Sequence, residues 1–323
     1  MLPGAAPDKP VPRHGGTRHR RPSHLLCVSR YVGSRSREPC RGPSVYPRTV
    51  KRTLVLSICS LAACGTDPPD AAGNDAAPPG DSRDGPSSGG ASAAGCQGAT
   101  VCEDFESTAV GSTPGTPWTI STPNCMGAGT LAVDSAQAHR GAHALKIAGK
   151  GNFCDHVFLS SAAPATLTGT LHARFYVRFE TAFAAAHTTF LALADSTDAK
   201  DLRMGGQQGI FMFNRELNDA TLPALSPTGI AQSLAPAAGT WYCVELAIDG
   251  AGHTLRASID GVARAGLALD TTPTPDIDQQ WLNGPVWSPR LQNIRFGWEA
   301  YGGPAMNLWF DDIAIGTAPI GCL

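Results

Sequence analysis

Residues 96–323 read as an all-β sandwich of two antiparallel sheets. Three observations predict it: side-chain character alternates with a period of two wherever a period is legible, long helical patterns are missing, and Gly, Pro and Asp punctuate the chain at short intervals,. Many short strands between such breaks are the pattern of a two-sheet sandwich. The segment is long enough for one large domain with an ample core.

Strands are predicted in order as follows. A-L-K-I (144–147) comes first, then L-H-A-R-F-Y-V-R-F (171–179), which places Ala173, Phe175, Val177 and Phe179 on one face and His172, Arg174, Tyr176 and Arg178 on the other,. Segments 189–193 and 209–214 follow as neighbouring antiparallel strands, and L-R-M-G-G-Q-Q (202–208) between them reads as a loop. Further strands fall at 241–248 and 254–259. Asp249-Gly250, Ala251-Gly252 and Asp260-Gly261 supply the hairpin turns around them, since Gly tolerates the positive φ such turns need,. I-R-F-G-W-E-A-Y from Ile294 sets Ile294, Phe296 and Trp298 against Arg295, Glu299 and Tyr301, and 308–315 closes the set.

Upstream the composition changes. The stretch T-L-V-L-S-I-C-S-L-A-A-C-G-T-D (53–67) holds an apolar run too short for a membrane helix, which needs roughly 20 residues,. Lys51 and Arg52 precede it and small residues follow, the layout of an export signal,. Leu61-Ala62-Ala63-Cys64 resembles the lipobox of bacterial lipoproteins, which implies acylation at Cys64. The expected division is a signal over 50–63, a Gly/Ala/Ser/Pro/Asp tether over 64–95 and the domain over 96–323,. Residues 1–49 are crowded with Arg, Pro and Ser, lack a methionine after Met1 and show no sustained period, so they read as an upstream extension or a disordered segment, with translation starting near Val50. Gly65 rather than Asp after the cysteine points to the outer membrane or cell surface.

A formal net charge of −2 gives no electrostatic case for a nucleic-acid partner,. Cys96, Cys102, Cys125, Cys154, Cys243 and Cys322 follow Cys64, and an even set in an exported chain predicts disulfides,. Cys125 with Cys154 is the favoured pair, leaving the other four to join where the chain ends meet. No C-x-x-C spacing supports zinc, and no Gly-rich phosphate loop follows a strand.

Several motifs in order carry a resemblance: C-E-D-F-E (102–106), A-H-R-G-A-H-A-L-K-I (138–147), W-Y-C-V-E-L-A-I-D-G (241–250), S-I-D-G (258–261), F-G-W-E-A-Y (296–301), L-W-F-D-D-I-A-I-G (308–316) and I-G-C (320–322). Together they resemble the core domain of the cellulose-induced protein family. That resemblance implies a concanavalin-A-like jelly roll related to glucuronan and alginate lyases. Fold alone does not carry function.

Such a domain offers a concave groove for a polysaccharide. Trp281, Trp287, Trp298, Tyr176 and Tyr301 are the candidate stacking surfaces, with His172, Arg174, Arg203, Gln207, Gln208, Asn214 and Glu299 as polar contacts,. Glycoside hydrolysis needs two carboxylates flanking the bond, which on this fold would project from one strand at alternate positions, and no E-x-D-x-E run occurs in a strand,. A lyase needs a cation or amide on the uronate carboxylate and a base for the neighbouring proton. Arg203, Gln207 and Gln208 suit the first role, and His187, ahead of His172 and Tyr301, the second. The alginate-lyase motifs R-T-E-L, Q-I-H and Y-x-K-x-G-x-Y are absent. Asp104, Glu106, Asp311 and Asp312 are the expected ligands of a structural calcium between first and last strands, as in related jelly rolls,. The functional expectation is a monomeric, surface-tethered polysaccharide-binding lipoprotein. Its alternatives are a polysaccharide lyase and a structural envelope lipoprotein.

Overall fold

The computed structural model describes residues 95–123, 129–153 and 155–323. Cys64, the segments before it, most of the tether, and the Cys125 with Cys154 pair lie outside the described residues. The strands are β1 (Ala99–Glu103), β2 (Trp118–Ser121), β3 (Thr130–Asp134), β4 (Ala144–Gly149), β5 (Val157–Ser161), β6 (Leu171–Phe179), β7 (Thr188–Asp195) and β8 (Lys200–Gln207). They continue as β9 (Ile210–Arg215), β10 (Ala220–Leu222), β11 (Trp241–Asp249), β12 (Thr254–Ile259), β13 (Val262–Leu269), β14 (Ile294–Ala300) and β15 (Met306–Gly316). Two single-turn helices, α1 (Pro227–Ile230) and α2 (Gln279–Leu282), lie in the connections.

Two antiparallel sheets form a jelly-roll sandwich. The first runs β13-β12-β11-β6-β15-β4-β3 with β1 added on β15, and the second runs β10-β9-β8-β7-β14-β5-β2. The eight segments predicted as strands are all strands, and the alternation holds: Ala173, Phe175, Val177 and Phe179 of β6 enter the core, as do Ile294, Phe296 and Trp298 of β14. Phe175 of the first sheet meets Phe296 of the second at 5.2 Å between ring centroids, and Phe179 meets Phe190 at 5.3 Å. These aromatic edges lock the layers together. At the β12–β13 hairpin Asp260 and Gly261 take φ of 54° and 72°, the positive pair that a tight turn of this kind needs,.

One segment departs from expectation. Residues 202–208 are not a loop, because β8 covers Lys200–Gln207 and stands between β7 and β9, which therefore do not pair with each other. The glycines that make this run look like a loop are demanded by crowding. A Cβ at Gly205 would come within 1.7 Å of the Thr188 carbonyl oxygen, and one at Gly206 within 2.4 Å of the Phe183 ring,.

Disulfides join Cys96 to Cys102 and Cys243 to Cys322. The second ties the C-terminus to β11, where the Leu323 amide donates to the Tyr176 hydroxyl at 2.7 Å.

Candidate functional site

The second sheet turns its outward face to a depression of about 470 Å³ lined by His187, Arg203, Gln207, Asn214, Asp219, Thr221, Leu225, Gln280 and Tyr301. Strand register sets its floor. Arg203 of β8 lies opposite Asn214 of β9, which lies opposite Thr221 of β10, so three polar side chains form a row across the sheet. One wall comes from α2, whose Gln280 accepts through Oε1 from the Thr221 amide at 3.2 Å. His187 precedes β7 and Tyr301 follows β14. These strands are antiparallel neighbours, and the Tyr301 amide donates to the His187 carbonyl at 3.0 Å. The two rings stack 5.0 Å apart, and Arg203 lies 5.3 Å from the centre of the Tyr301 ring on a cation–π contact,.

Four buried polar atoms here have no hydrogen-bond partner among the described residues: His187 Nε2, Thr189 Oγ1, Arg203 Nε and Asn214 Oδ1. Buried donors and acceptors are ordinarily satisfied, so these atoms are open to water or to a polar ligand. Burial, helped by the Arg203 charge, lowers the His187 imidazole to about 4 and keeps it neutral in ordinary buffers,. Burial likewise raises Glu299 to about 7, against the pull of Arg203. Arg203 Nη2 lies 3.2 Å from Glu216 Oε1 and 3.5 Å from Glu299 Oε1.

Of the residues predicted from sequence, His187, Arg203, Gln207, Asn214 and Tyr301 line the depression, and Glu299 lies beside it in contact with Tyr301. Gln208 does not, because it forms the exposed β8–β9 turn at φ 53°. His172, Arg174 and Tyr176 stand on β6 of the other sheet, facing away. Arg174 is buried there and donates to the Gly95 carbonyl. Trp281 and Trp287 are 1% and 4% exposed and pack edge to face at 5.3 Å, so they are core residues and not sugar platforms. Trp298 is also core, its Nε1 donating to the Lys150 carbonyl at 2.7 Å.

The four acidic residues expected to hold calcium each have a hydrogen-bond partner in the fold. Asp104 accepts from the Glu106 amide, Glu106 from the Ala142 and His143 amides, and Asp311 from the His139 and Arg140 amides. Asp312 pairs with His139 Nδ1 at 2.8 Å. Among the described residues no group of three or more His, Cys, Asp or Glu is gathered at one point. Asp219, Thr221, Gln280 and His156 were missed by sequence reading. Nothing in their local pattern distinguishes them, since only sheet order brings them near β8 and β14.

A family model described as polysaccharide lyase-like, Cip1-like core domain, matches residues 104–318. Among solved structures, the cellulose-induced protein Cip1 is 33% identical, with a TM-score of 0.63 over 69% of this chain and 100% of that one. An endo-β-1,4-glucuronan lyase from the fungus Trichoderma reesei is 15% identical, with a TM-score of 0.46 over 68% of this chain and 96% of that one. No curated protein matches.

Proposed function

The chain belongs to the Cip1-like core-domain family of polysaccharide-lyase-like proteins, and from that premise we propose that its depression binds a uronate-containing polysaccharide and cleaves it by β-elimination. The observation that carries this reading is the juxtaposition of a neutral His187 with a bare Nε2, the Arg203 guanidinium and the Tyr301 hydroxyl around one cavity. His187 Nε2 accepts the proton next to the uronate carboxyl group while Arg203 Nε and its charge stabilise the negative charge that develops there. Tyr301 gives its proton to the departing glycosidic oxygen. The C–H and C–O bonds break, a carbon–carbon double bond forms, and the product is an unsaturated uronate. Incubation with a panel of acidic and neutral glycans tests it, reading ultraviolet absorbance of unsaturated ends together with retention. Absorbance that is lost in His187→Ala with retention preserved supports the proposal.

A second reading, glycan binding without cleavage, is favoured by the ties of Arg203 to both Glu216 and Glu299, which use part of its charge. Retention without absorbance on any glycan would establish it. The proposal includes export and lipid attachment at Cys64, supported by the two disulfides, which suit an oxidising compartment,. Mass spectrometry of the mature N-terminus tests this, with Cys64→Ser expected to abolish the lipid.

A further inference from the structure

Glu299 does not line the depression, yet its Oε1 is where three other groups converge. The Tyr301 hydroxyl donates to it, Arg203 Nη2 stands 3.5 Å away and His156 Nε2 stands 3.3 Å away. His156, just before β5, is 4% exposed and Glu299 is 2% exposed. His156 Nδ1 lies 2.9 Å from the Pro123 carbonyl oxygen. That oxygen can only accept, so Nδ1 carries the hydrogen, and the neutral ring leaves a bare Nε2 lone pair beside the carboxyl group,. Nε2 has no aligned hydrogen-bond partner. Two acceptors facing each other in a dry site repel, and a single proton on the carboxyl group relieves them.

We propose that Glu299 and His156 hold one buried proton between them and that this proton resupplies Tyr301 after each cleavage. The inference rests on the reading of Tyr301 as the proton donor. When Tyr301 has given its proton to the leaving oxygen, the Glu299 O–H bond breaks and the Tyr301 O–H bond re-forms. A carboxylic acid is a stronger acid than a phenol, so the transfer runs downhill. The carboxylate so made is balanced by Arg203; after product leaves, His187 releases to water the proton it took from the sugar, and water hands one proton back through Tyr301 to Glu299, which restores both groups.

The surrounding charges agree. Glu299 is raised to about 7 by burial, with Arg203 and Arg295 opposing and Asp201 and Glu216 assisting. His156 is lowered by burial and by Arg203 and Arg295, with its Pro123 hydrogen bond and Asp155 opposing. The proton therefore resides on the carboxyl group.

Nitrogen-15 spectra of histidine-labelled protein read the pair without turnover, with the His156 signal assigned by its loss in His156→Gln. The wild type should show the Nδ1–H tautomer, with the Nε2 shift stepping near pH 7 as Glu299 ionises. Glu299→Gln should keep the tautomer and lose the step. A wild type with no step, or a step that survives in Glu299→Gln, overturns the pair whether or not the protein is a lyase. Kinetics test the resupply: Glu299→Gln should cut kcat on the order of 10²-fold with KM unchanged, and unchanged kcat overturns it. If the step is present but no glycan is cleaved, the resupply falls together with the lyase reading, while the pair stands.

Discussion

The His187 ring lies over the Tyr301 ring at 5.0 Å with only 12° between their planes, and the backbone of one hydrogen-bonds the other. A base candidate and an acid candidate thus share one support at the ends of adjacent strands β7 and β14, where burial, helped by the Arg203 charge, holds the imidazole neutral. That pairing is a consequence of sheet order, and it leaves two buried titratable groups near each other, His187 shifted down and Glu299, bonded to Tyr301, shifted up.

Stability should record those opposite directions. His187 is depressed from 6.5 to about 4, so the stability it contributes is complete above 6.5 and is lost as pH falls towards 4,. Glu299 is raised from 4.5 to about 7, so its contribution is complete below 4.5 and is lost as pH rises through 7,. Thermal midpoints measured from pH 4 to 8 should show His187→Asn with a shallower fall on the acid side than wild type. Glu299→Gln should gain on wild type towards pH 8. Differences that stay constant with pH would contradict both assignments.

Reduction should act unequally on the two bridges. Cys243–Cys322 closes a separation of 79 residues and Cys96–Cys102 one of 6. Loop-closure entropy then gives about 4.5 kcal/mol for the first and about 2 kcal/mol for the second. Cys322→Ser should also free the Leu323 amide from Tyr176. Urea midpoints of the single variants test the order, and a larger loss from Cys102→Ser would reverse it.

Much of the fold was legible because one buried face per strand writes a period of two. Residues 171–179 and 294–300 carry that signal clearly, and both are strands with the expected faces. β8 was hidden because its outward face is Asp201, Arg203, Gly205 and Gln207, a polar series interrupted by glycine, and only the positions of Thr188 and Phe183 explain why glycine must be there. His187, Arg203 and Tyr301 could be named from chemistry alone. That His172, Arg174 and Tyr176 belong to the other sheet could not, since alternation gives the face of a strand but not the sheet it joins.

Trp281 illustrates the difference between a loop aromatic and a sugar platform. It lies in α2, is 1% exposed and packs edge to face with Trp287. Trp281→Ala should therefore cost about 3 to 5 kcal/mol of stability through the cavity it leaves. Glycan retention of the protein that remains folded should be unchanged. Weakened retention at full stability would return Trp281 to the site.

Arg203 carries the sharpest test because it serves both structure and ligand. Its Nη2 bridges Glu216 and Glu299, its Nε is unpartnered and its guanidinium covers the Tyr301 ring. Arg203→Ala removes the ligand's cation and takes the guanidinium from Glu299 and from Glu216, which keeps Lys200, so retention of acidic glycans and stability should fall together. Combining it with Glu299→Gln separates the effects. Above pH 7, where Glu299 ionises, the neutral amide needs no counter-charge, so the double variant should recover stability relative to Arg203→Ala, while retention stays low because the cation is still missing. Retention on columns of acidic and neutral glycan, paired with urea midpoints, reads both. If retention recovers along with stability, Arg203 is a scaffold for the carboxyl groups and the ligand's charge is met elsewhere.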